Sequence, residues 1–80
     1  MSKQKALEIS GLTEQAFNHL YGDVIRIVET TDSNGKTYSA IVCTGGVRIN
    51  FPRPESLDDF DRNYRPAIHR IMDHITKEGN

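Results

Sequence analysis

Residues 23–51 read DVIRIVETTDSNGKTYSAIVCTGGVRINF, and the fold turns on where this stretch reverses. It is rich in β-branched residues, which pack well on a pleated surface. Asn34-Gly35 is the stronger turn signal, because a type I′ hairpin turn needs positive φ at both central positions. Gly45-Gly46 is the second. Taken as two-residue loops, they set Val28 opposite Ile41 and Ile27 opposite Val42, then Val42 opposite Ile49 and Ala40 opposite Phe51. The two turns agree about faces. One face collects Ile25, Ile27, Ala40, Val42, Val47, Ile49 and Phe51, and is the expected core face. The other collects Val24, Arg26, Val28, Ile41, Cys43, Arg48 and Asn50, and is mixed.

Helices flank this meander. From Thr13 to Tyr21, Ala16, Phe17, Leu20 and Tyr21 recur at helical spacing, and Gly22 stands where a helix ends in a left-handed residue. A short helical piece is expected over Lys3 to Ile9. Ser56 suits an N-cap, with Asp58 and Asp59 in the first turn facing the helix dipole. Pro66 is expected to divide the C-terminal helical region, pushing Arg65 to extended geometry and opening a second helix to about Lys77. Ile68, Ile71, Met72 and Ile75 form its apolar stripe. The expected fold is therefore α+β, in the order α-β-β-β-α. Its N-terminal and C-terminal helices pack on one face of a three-stranded antiparallel meander.

The 80 residues make one domain, residues 1–80. A chain of this size buries about 60% of the surface that its unfolded form exposes, which leaves little room for a substrate pocket beside a core. The net charge of −1 lacks the basic excess of a typical small nucleic-acid binder. Cys43 is the only cysteine, so no internal disulfide forms, and a small domain without such staples suits a reducing, cytoplasmic setting. No apolar run is long enough to span a bilayer.

Ser10 to Leu20, SGLTEQAFNHL, resembles the turn and second helix of a helix-turn-helix. Gly11 permits the tight turn and Thr13 caps the helix. The resemblance implies a DNA-reading regulator whose Gln15, Asn18 and His19 face the bases. That helix carries no cation for phosphate, which weighs against this alternative. The α-β-β-β-α order is similar to that of double-stranded-RNA-binding domains. Here Glu55, Asp58, Asp59 and Asp61 lead into the final helix and would repel phosphate.

Catalytic chemistry has little to stand on. Cys43 sits mid-strand, and no spacing ties it to His69 or Asp73 as a nucleophile would need. TGGV lacks the Lys-Ser/Thr of a phosphate loop. Asp59-x-Asp61-x-Asn63 starts like a calcium loop, but Tyr64 stands where that loop needs Gly. The sequence calls for no metal and no cofactor.

Binding remains. On the mixed face Val28 and Ile41 lie beside Arg26, Arg48 and Asn50, a composition that suits an interface. The cover is expected to be either the N-terminal segment or another chain, a regulated target or a second copy. Asp58, Asp59 and Asp61 offer a second surface, for a basic partner. The expected function is a small non-enzymatic, protein-binding regulator or inhibitor. It is similar in type to the anti-defence and host-takeover proteins of phages.

Overall fold

A computed structural model describes residues 2–79. Helices α1 (Ser2–Ser10) and α2 (Glu14–Tyr21) precede strands β1 (Val24–Thr31), β2 (Thr37–Cys43) and β3 (Gly46–Asn50). A short α3 (Leu57–Asp59), a π-helical turn (Phe60–Tyr64) and α4 (Arg65–Gly79) complete the chain. The three strands form one antiparallel sheet in the order β1-β2-β3. The expected α+β meander with helices at both ends is the fold. No described helix is long and apolar enough to cross a membrane.

The register differs from expectation, and one carboxylate is the reason. Val28 pairs with Ala40 and Ile27 with Ile41, one residue away from the type I′ arrangement. Asp32 accepts backbone N–H bonds from Asn34 (2.8 Å) and Lys36 (3.1 Å). Such a side-chain turn competes with a two-residue loop. The hairpin instead closes where the Asp32 N–H donates to the Lys36 carbonyl (3.0 Å). Ser33, Asn34 and Gly35 then form a three-residue loop in which Gly35 alone takes positive φ, 82°. The second turn is centred on Thr44-Gly45, with Cys43 opposite Gly46 and Val42 opposite Val47. The N–H groups of Thr44 and Gly45 donate to the carbonyls of Asp23 and Tyr21, which anchors it there. This displacement is two residues in register, so it leaves the β2 and β3 faces as expected.

A one-residue slip exchanges the faces of a strand. β1 therefore sends Val28 to the side of Ala40, and Ile27 to the side of Ile41 and Cys43. Ile25, expected in the core, falls at an irregularity in the β1–β2 pairing and is exposed. Each face now holds an apolar set, and each attracts its own helices. Val28, Tyr38 and Ala40 pack with Ala67 and Ile71 of α4. Ile41 and Cys43 pack with Ala6 of α1 and Phe17 of α2. The terminal helices thus lie on opposite faces of the sheet, not together on one. β2 runs between them, and Tyr38, Ser39, Ala40 and Ile41 are consecutively buried, as a strand covered on both sides requires.

Pro66 does not break the helix. Arg65 is helical (φ −59°, ψ −47°), and its N–H donates to the Phe60 carbonyl, five residues back. In an α-helix the ring of Pro66 would strike the carbonyl of Arg62. The wider π turn is one of the devices that absorb such a conflict. Ser56 is the N-cap, accepting from the Asp59 N–H at 3.1 Å. Thr13 caps α2, accepting from the Ala16 N–H at 3.2 Å.

Candidate protein-binding surface

The mixed face expected to lie open is closed by the chain itself. Ile41 is fully buried beneath α1 and α2, and Val28 is buried against α4 on the other side. Arg26 shares the Val28 face, where its guanidinium donates to the Ile75 carbonyl at 3.1 Å. Asn50 donates to the Ile9 carbonyl at 3.2 Å, tying β3 to the end of α1. Of the two expected covers, the N-terminal segment lies on the Ile41 and Cys43 face.

The acids at the head of the last helix also have partners. Asp59 is buried and accepts from the Asn63 side chain (2.7 Å) and the Glu55 N–H (3.0 Å), with Lys36 at 3.5 Å. Those two hydrogen bonds lead in holding its carboxyl below the usual carboxylate range. Asp58 pairs with Arg62 at 2.9 Å and Asp61 with Arg65 at 2.6 Å. Through Lys36, Asp59 joins the β1–β2 loop to the helix start, where Ser33 also donates to Asn63 at 2.9 Å. Asp32 belongs to the same region. It accepts the Tyr38 hydroxyl at 2.9 Å, and burial together with this bond pushes Tyr38 up to about 12.

On α2, Gln15, Asn18 and His19 are all exposed, and Asn18 also accepts from Lys3 of α1. Lys3 also sits over the Phe17 ring and donates to the Gly22 carbonyl. The start of α1 thus lies beside the end of α2, so the two helices form an antiparallel hairpin on the sheet. Cys43 faces that hairpin, and burial pushes its thiol up. His69 and Asp73 are exposed on α4, across the sheet from it.

What stays uncovered is the margin of β3. Val47 and Ile49 share the α4 face yet remain 46% and 55% exposed. The orientation of α4 explains this. Ala67 and Ile71 meet the sheet, and Arg70 reaches the Thr30 hydroxyl of β1 at 3.0 Å. That contact assigns one flank of α4 to β1. Helical geometry then turns Ile68 and Met72, four apart, to the β3 side. Met72 is 56% exposed. On the other face, Lys3 meets α2 at Asn18, and Leu20 leaves α2 on the opposite flank, 57% exposed.

The backbone adds a second feature. β3 is an edge strand. A two-residue turn closing on Cys43 and Gly46 makes that pair exchange ladder bonds, and every second pair after it does the same: Ile41–Arg48, then Ser39–Asn50. The N–H and C=O groups of Val47 and Ile49 therefore point away from β2, along the free edge. Between those two residues stands Arg48. It donates to the Tyr21 hydroxyl at 3.1 Å, while its Nε is buried without a hydrogen-bond partner. Among the described residues no carboxylate pairs with it. The alternation of β3 assigns this pair to the core face, which the structure corrects. That the pair would lie uncovered depended on where α4 crosses the sheet. No protein-family model, curated protein or solved structure matches this chain.

Proposed function

We propose that this chain is a small protein-binding regulator or inhibitor that acts by occupancy and not by catalysis, with the β3 margin as its binding surface. The observation that carries this reading is the coincidence of exposed apolar side chains and outward backbone groups at Val47 and Ile49. A long or apolar exposed edge is a hazard that proteins blunt with Lys, Pro, bulges or cover. β3 has no Lys, Pro or bulge within its five residues, Gly46–Asn50, and its one charge, Arg48, is turned to the α2 face. Clustered exposed apolar groups beside polar ones mark interaction sites. The acids at Asp58 and Asp61 become a secondary, rim contribution, since each already has an arginine partner.

The test is selection from a displayed library of natural protein fragments, with wild-type protein and Ile49→Asp in parallel. Ile49 is exposed, so the variant keeps its fold, which circular dichroism checks. Fragments enriched by the wild type and lost with Ile49→Asp support the reading. Enrichment indifferent to Ile49→Asp contradicts it.

A further inference from the structure

We infer that the free edge of β3 takes an extended segment of another protein as a fourth strand, one that alternates apolar side chains towards α4 with an acidic side chain towards Arg48. This rests on the protein-binding reading above and names the occupant.

The backbone selects a strand over a helix. An added strand satisfies the outward N–H and C=O groups of Val47 and Ile49, whereas a docked helix leaves them to water. Side chains of such a strand alternate between faces. Those on the α4 face come down beside Val47 and Ile49 and below Met72. Those on the other face meet Leu20 and Arg48. Arg48 supplies the charge argument: a cation with a buried, unpartnered Nε and no carboxylate among the described residues. An acid directly across the strand pair answers it.

A second copy fits less well. β3 and the residue after it read GVRINF and hold no acid. Two-fold pairing of β3 with itself sets Arg48 against its own counterpart or against Asn50. β1, the other edge, is interrupted near Ile25, and its Glu29 is already paired with Lys5. Pairing of β1 on β3 between copies is head-to-tail and gives rings or open filaments, not a two-fold dimer.

The experiment is selection from a random dodecapeptide library displayed on phage, and then measurement of the enriched peptides' affinities as free synthetic peptides. Enriched sequences should alternate apolar residues with Glu or Asp and lose binding to Ile49→Asp. Changing the key Glu of the peptide to Gln should weaken binding to the wild type about fivefold, the upper end for a cross-strand charge pair. The same change should have no effect on Arg48→Gln. The Glu-to-Gln comparison on wild-type protein stands alone if Arg48→Gln does not fold. Binders that depend on Ile49 but carry helical spacing, or no acid, overturn the strand while leaving protein binding intact. Absence of any binder sensitive to Ile49→Asp overturns both. A wild-type dimer in sedimentation equilibrium that Ile49→Asp dissolves would assign the edge to a second copy and overturn the inference.

Discussion

Ile41 and Ile49 are the same residue type in neighbouring strands, and truncating each to Ala should give very different results. Ile41 is fully buried between the sheet and the α1–α2 hairpin, whereas Ile49 is more than half exposed. Ile→Ala removes three carbons. At about 0.8 kcal/mol per buried methylene the transfer loss at Ile41 is about 2.4 kcal/mol. The cavity left between Ala6, Phe17 and β2 raises this to about 3–4 kcal/mol. At Ile49 less than half of that transfer term applies and no cavity forms, so the loss should stay below about 1 kcal/mol. A domain of this length has about 4–12 kcal/mol to lose. At about 4–8 °C per kcal/mol, Ile41→Ala should lower Tm by about 12–30 °C and Ile49→Ala by a few degrees. Far-UV circular dichroism during thermal and urea unfolding measures both. Carrying the contrast to charge, Ile41→Asp should not fold, because an unpaired buried carboxylate is far costlier than a cavity, whereas Ile49→Asp should. Equal losses for the two alanine variants, or a larger loss at Ile49, would refute the register and the two-sided packing.

Acid should unfold the protein partly through Asp32 and Asp59. Burial works to raise the Asp32 pKa, but bonds from Tyr38, Lys36 and Asn34 outweigh it; at Asp59 the Asn63 and Glu55 bonds lead, and both carboxyls lie below 3.8. Their stabilisation is full above that ordinary value and fades as pH falls below it, so the urea midpoint should drop from about pH 4 downward and drop less in Asp59→Asn. Gly22→Ala should destabilise more than Gly11→Ala: both glycines have positive φ, but a Cβ at Gly22 would sit 2.4 Å from the Thr44 hydroxyl while one at Gly11 meets nothing. Equal unfolding midpoints for the two variants would contradict that packing. Asn18→Ala should leave any affinity for duplex DNA unchanged, since Asn18 is engaged by Lys3; a footprint lost in that folded variant would revive the DNA-reading alternative.

The sequence made the elements legible because their signals are local. Thr13, Ser56 and Gly22 mark helix ends through caps and backbone freedom, and the β-branched run from Val24 to Cys43 announces strands. The faces were not legible, because they depend on parity. One Asx turn at Asp32 moves β1 by one residue and sends Val28 and Ile27 to opposite sides. No hydrophobic pattern warned of this, since Val24, Ile25, Ile27 and Val28 supply apolar residues in either register. Pro66 misled for a different reason. Propensity describes an α-helix, and the chain kept its helix by widening one turn. The exposed margin of β3 was not legible: alternation assigned Val47 and Ile49 to the core face, and their exposure arises from α4 lying over β1 and β2.

Backbone amide exchange along β3 bears most directly on the proposal that this margin binds a partner strand. In the free protein, the N–H groups of Arg48 and Asn50 should be protected by β2, and those of Val47 and Ile49 should exchange quickly. On adding a peptide enriched by selection on the wild type, the Val47 and Ile49 amides should become protected while Arg48 and Asn50 change little. Protection of all four amides in the free monomer, or bound peptide that leaves Val47 and Ile49 exchanging freely, would contradict it.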